Sequence, residues 1–109
     1  LRGLGLTSTQ WGIELEAIHG TPVRCSAAGK VVFAAWLHGY GQLLIVDHGN
    51  LLHTLYGHLA TFEAKLGSEV KRGQVIGTLG VTGSLKGSLL YFEVREKSLA
   101  VDPLLWLER

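Results

Sequence analysis

No block of like charge in this sequence is longer than the pair Lys71-Arg72, and the net charge is only +1. That absence excludes the basic stripe or polybasic segment that nucleic-acid and anionic-membrane contact require. Long apolar runs are missing too. Val31–Leu37 and Leu43–Val46 are the longest, and both fall far short of the roughly 20 residues of a membrane-spanning helix. A single cysteine, Cys25, rules out an internal disulfide. It reads as a small buried hydrophobe and says little about redox compartment. Helical periodicity is nearly absent, with only Thr61–Leu66 and Pro103–Leu107 able to form a short helix. No signal peptide is visible at Leu1-Arg2, so a targeting segment is expected to lie outside this sequence.

What is present is a folding pattern. Apolar residues make up 47% of the chain against 17% charged, which is the balance of a folded globular chain and not of a disordered one. A length of 109 residues predicts one domain, 1–109, able to bury its core without staples. Fifteen glycines punctuate short segments, many of them rich in Val, Ile, Leu and aromatic residues. Strands are expected over Gly12–Glu16, Pro22–Ser26, Gly29–Leu37, Gln42–Asp47, Leu51–Leu59, Glu69–Val70, Val75–Leu79, Leu89–Arg95 and Leu99–Val101. Turn signals separate them, among them His38-Gly39-Tyr40-Gly41, which joins two strands as an antiparallel hairpin. The expected class is mostly β, two antiparallel sheets packed as a sandwich or barrel-like hybrid.

Alternation within strands assigns faces. Leu90, Phe92 and Val94 form a uniformly apolar set, the natural core face, while Leu89, Tyr91, Glu93 and Arg95 share the opposite face, which is expected to be exposed. In Trp11–Glu16 the odd residues Trp11, Ile13 and Leu15 oppose Glu14 and Glu16, so Glu14 is expected to point away from the core.

A series of short markers runs in one order along the chain. It comprises Gly12-Ile13, Gly20-Thr21-Pro22-Val23, Gly29-Lys30-Val31, Gly39-Tyr40-Gly41, Asp47-His48-Gly49 and Thr54-Leu55-Tyr56-Gly57-His58-Leu59. It continues with Gly67-x-x-Val70-x-x-Gly73-Gln74-x-Ile76-Gly77, Thr82-Gly83, Phe92-Glu93-Val94-Arg95 and Asp102-Pro103. Each marker alone is weak; the ordered series over residues 10–107 resembles the LytM or lysostaphin-type zinc endopeptidase domain. The resemblance implies a mostly antiparallel β fold with a long groove across one sheet.

The same resemblance locates the catalytic positions, and here the chain departs from the pattern. Active relatives place zinc ligands at a His, an Asp four residues on, and the second His of a His-x-His pair. Those positions are Gln10, Glu14 and Tyr91 here, and the first His of the pair is Leu89. A hydrolytic zinc needs about three protein ligands and an open water position. One carboxylate, an amide and a phenol do not meet that need, so no metal and no cofactor is expected and the domain reads as a pseudoenzyme. Only His58 keeps its family identity. His48 reads as a turn residue, and His19, His38 and His53 lack Cys or His partners at ligand spacing. The turn around Lys71 also resembles the tip of a lipoyl or biotinyl carrier, an explanation that covers far less of the chain.

Within that family the degenerate branch is similar to EnvC-type and NlpD-type domains. The similarity implies a groove that receives a helix of a cell-wall N-acetylmuramoyl-L-alanine amidase and activates it during division, in the bacterial envelope and the periplasm in particular. Trp11, Glu14, Tyr40, Tyr56, His58, Leu89, Tyr91 and Arg95 are the residues expected to line it. Aromatic residues with one Arg suit a protein interface, and a helix laid in a groove is a recurrent recognition mode. The competing reading is a non-catalytic site for peptidoglycan peptides, with residual zinc endopeptidase activity a more distant third. The branch also implies a coiled coil ahead of the domain.

Overall fold

The computed structural model describes residues 6–8, 11–97, 99–101 and 103, and among these the apolar segments form eleven strands. They are β1 (Leu6–Ser8), β2 (Ile13–Glu16), β3 (Pro22–Arg24), β4 (Gly29–Leu37), β5 (Gly41–Asp47), β6 (Leu52–Gly57), β7 (Leu59–Phe62), β8 (Glu69–Val70), β9 (Val75–Leu79), β10 (Leu89–Glu96) and β11 (Leu99–Val101). The larger sheet has the order β1-β2-β10-β6-β5-β4-β8, with β11 also on β10; the smaller has the order β3-β9-β7. Every pairing is antiparallel.

Register explains where the core sits. Ile13, Phe92, Tyr56, Leu44 and Ala34 are successive cross-strand partners, so one row of the large sheet presents them on one face. They pack against Val23, Leu59, Ile76 and Leu79 of the small sheet, and the buried cluster extends to Val31, Val46 and Val94. Cys25 lies in this cluster as expected, and Leu90 packs against its border. Apolar burial of this kind contributes about 1.5–3 kcal/mol per large side chain.

Two expectations need correction. The single strand expected over Leu51–Leu59 is two. His58 adopts φ +61°, which breaks the extended run and passes the chain from the large sheet to the small one. Thr61–Leu66 is not helical: Thr61 and Phe62 belong to β7, opposite Thr78 and Gly77, and Gly67 at φ +85° closes the turn that follows. Pro103–Leu107 lies almost wholly outside the described residues. β1 is an addition that the alternation did not predict.

The other edge of the large sheet is sparse. β8 pairs with β4 only at Gly29 and Lys30, and Val31 exchanges backbone hydrogen bonds with Gly67 and Ser68. From Val32 to Leu37 no described strand pairs with the outer side of β4. A bulge between Val31 and Phe33 bends it there, and Val32, Trp36 and Leu37 are exposed.

Candidate functional site

The face of the large sheet opposite the core carries Glu14, Tyr91 and Gly57 in one cross-strand row and Glu93, Leu55, Ile45 and Phe33 in the next. Three chain segments converge over it. The turn between β4 and β5 brings Tyr40, whose amide bonds back to Leu37 O and whose carbonyl accepts from His58 N at 2.7 Å. His58 Nδ1 lies 2.7 Å from the carbonyl of Thr82, so that nitrogen is the donor. Thr82 Oγ1 in turn donates to Leu59 O at 2.7 Å and accepts from Gln42 N at 3.1 Å. Gly41 permits this approach, since a Cβ there would lie 2.0 Å from Thr82 O. The Gly-Tyr-Gly turn, the left-handed histidine and Thr82 are therefore one clamp.

Beneath the clamp lies Tyr91. Its ring meets Tyr40 edge-on at 5.4 Å and His58 at 6.4 Å. Its hydroxyl donates to Oε1 of Glu93, a carboxylate with no exposed surface. Arg95 Nε donates to the other carboxylate oxygen, and Tyr40 Oη lies 3.5 Å from Oε1. Buried carboxylates persist when their lone pairs are met by donors and an opposite charge, and Glu93 has both. The hydrogen bond to Glu93 holds the Arg95 guanidinium above its already high range. Burial, reinforced by the nearby Glu93 charge, pushes the Tyr40 phenol up. Glu14 meets Lys86 Nζ at 2.9 Å.

The arrangement bears on zinc. Tyr91 has given its hydroxyl to Glu93, Glu14 faces an ammonium, and Leu89 is a buried hydrocarbon; Gln10 lies outside the described residues. Among the described residues no three His, Cys, Asp or Glu side chains gather at a point where a metal would be held. The described positions do not fit a zinc donor set.

Several expected residues do come together: Tyr40, His58, Tyr91 and Arg95 form one contact network, with Glu14 beside Tyr91 in register. Two expectations fail. Tyr91 and Leu89 are not exposed, at 8% and 1% of their surface, because the clamp covers this face as the small sheet covers the other. Tyr56 is not a groove wall. It is the cross-strand partner of Phe92, so it points into the core, where its hydroxyl lies 2.8 Å from Thr54 Oγ1 and 3.0 Å from Ser26 Oγ. Trp11 precedes β2 in a bend, escapes the alternation of the strand and is 53% exposed. His48 bonds Ala28 O and Thr54 Oγ1, the structural role expected of it. Glu93 and Lys86 join the site although neither was among the residues expected to line it. Glu93 was legible as a charge inside a central strand, which demands partners; Lys86 was not, because its contact spans 72 residues of sequence. A separate cleft of about 720 Å³, lined by Lys30, Asp47, His48, Glu69, Lys71 and neighbours, shares no residue with this site.

Comparison with known proteins agrees with the geometry. The profile of peptidase family M23 matches residues 8–103. The murein hydrolase activator EnvC of Escherichia coli is 40% identical over 98 residues, 90% of this chain and 23% of that protein. The DD-carboxypeptidase/endopeptidase Mpg of Neisseria meningitidis is 41% identical over 93 residues, 85% of this chain and 21% of that protein. This chain thus spans less than a quarter of either relative. The catalytic domain of lysostaphin from Staphylococcus simulans superposes with a TM-score of 0.85 at 31% identity, over 92% of this chain and 80% of that one.

Proposed function

The chain belongs to peptidase family M23, and from that premise we propose that it is a catalytically inactive member that binds and activates a cell-wall amidase through its degenerate groove. One observation carries the reading. The residue at the position of the second histidine is a phenol locked onto a buried carboxylate, so the site's polar groups are spent on each other and not on a metal. Loss of the metal leaves the frame intact, and an intact frame with exposed apolar residues at its border suits a protein partner. Trp11, Val81 and Leu85 are such residues, and the Arg95 guanidinium, one-third exposed, adds a charge beside them. Anchors of this composition bury large area at low entropic cost. The names of the relatives point both ways, since one is an activator and another an endopeptidase; the chemistry of Leu89 and Tyr91 favours the former. The working place is the bacterial cell envelope, and the partner element is a helix of the amidase.

The test combines purified cell wall, the domain and a latent amidase from the same source. The domain alone should release no fragments, and the mixture should release more than the amidase alone. Release by the domain alone would overturn the inactive reading. Binding to muropeptides without any effect on an amidase would move the function to the peptidoglycan-binding alternative.

A further inference from the structure

Residues 81–88 link β9 to β10 and form a loop with two unlike halves. Its neck is closed, with Leu89 N donating to Gly80 O at 3.1 Å and Gly80 N to His58 O at 3.0 Å. Its first half is fixed by Thr82, whose backbone and hydroxyl join the clamp described above. The second half is held differently. Ser84 N to Val81 O and Lys86 N to Ser84 Oγ stay inside the loop. Among the described residues, the polar contact that ties this half to another element is Lys86 Nζ to Glu14 Oε1 at 2.9 Å. Leu85 at the tip is fully exposed, and Ser88 Oγ, at the base of this half, is buried with no hydrogen-bond partner among the described residues. Among the described residues, the Lys86–Glu14 pair is thus the contact that holds this half of the loop against β2.

The two ends of that pair differ in surroundings. The Lys86 side chain is 63% exposed and keeps most of its hydration, whereas that of Glu14 is only 15% exposed and lies beside Tyr91 on the floor of the groove. Breaking the contact therefore costs the lysine little and leaves the carboxylate short of a partner. We infer that Lys86–Glu14 is an ionic latch that holds residues 84–88 across the β2 end of the groove, and that a docking partner opens it by bringing its own Lys or Arg to Glu14. This inference rests on the reading of the groove as a partner site; the latch itself is a property of the free domain and is tested there first.

Hydrogen exchange of the amides of residues 84–88 decides the latch. An exposed ion pair of this type predicts exchange roughly 1.5–5-fold faster in Lys86→Ala than in wild type. The charge-swapped double variant Glu14→Lys, Lys86→Glu should return it toward wild type. Unchanged exchange in Lys86→Ala, or fast exchange retained in the swap, overturns the latch. The gating role is read from amidase activation at subsaturating domain. Lys86→Ala should raise activation by a similar factor, and faster exchange with unaltered activation overturns the gating. If wild type activates no amidase at all, the proposed function fails, while the exchange experiment still decides the latch.

Discussion

Replacing Tyr91 by phenylalanine removes one oxygen from the site and leaves the ring contacts with Tyr40 and His58 in place. The oxygen matters because Glu93 is fully buried and takes a hydrogen bond from it. Tyr91→Phe should therefore cost about 1–3 kcal/mol in denaturant unfolding, the penalty of a buried acceptor deprived of its donor. The face expected from alternation to be exposed is buried at Leu89, Tyr91 and Glu93, so substitution there should cost stability. Arg95→Ala should also destabilise, by less than the ~3–5 kcal/mol of a fully buried pair, because the guanidinium side is one-third exposed. Trp11 is the cleaner probe of binding: Trp11→Ala should weaken amidase binding by about 1–3 kcal/mol in a titration, with a melting temperature close to wild type. Tyr56 has a different signature. Burial pushes its phenol up to about 12 from an ordinary value of 10. The neutral form is favoured in the folded state, so stability is fully present below pH 10 and is lost as pH rises towards 12, by up to about 3 kcal/mol. Tyrosinate absorbance followed alongside circular dichroism should show ionisation and unfolding together in that window; a tyrosinate titration completed near pH 10 with the fold intact would contradict this.

Four of the nine expected strands, Gly29–Leu37, Glu69–Val70, Val75–Leu79 and Leu99–Val101, match the structure end to end. Turn or charged residues at their ends made the limits legible, among them Gly29, Lys71, Gly80 and Asp102. The failures share a cause. At His58 a non-glycine residue takes a left-handed conformation, which the modest enrichment of His at positive φ signals only weakly; the conformation is stabilised by its hydrogen bonds to Tyr40 O and Thr82 O, contacts made across the fold. Alternation likewise sorted Phe92 and Tyr91 correctly onto opposite faces, but it cannot say that both faces are covered, since the cover comes from a turn and a loop distant in sequence. Tyr56 was misplaced because a motif groups it with His58, whereas register groups it with Phe92. The clamp also yields a prediction for the turn. Gly41→Ala places a methyl 2.0 Å from Thr82 O at φ +69°, and should cost at least about 3 kcal/mol, measured by thermal melting.

As a whole, the molecule rests on one core shared by two sheets and on a polar network in which Tyr91 and Arg95 both donate to the buried Glu93 carboxylate. Metal should then be irrelevant to its folding. After incubation with excess zinc and desalting, elemental analysis should find well under one equivalent, and a chelator should leave the melting temperature unchanged, whereas metal-organised domains lose structure on chelation. Stoichiometric zinc would show that Gln10, Glu14 and Tyr91 had been wrongly excluded as ligands. The bare outer side of β4 has its own outcome. From Val32 to Leu37 the strand carries neither charge nor proline, and no described strand pairs with its outer side. Only the bulge near Val32 interrupts the template. Such an edge invites end-to-end stacking of molecules in concentrated solution. Light scattering should therefore rise with concentration in wild type and stay lower in a Val32→Lys variant, which gives this edge the gatekeeping charge that it lacks.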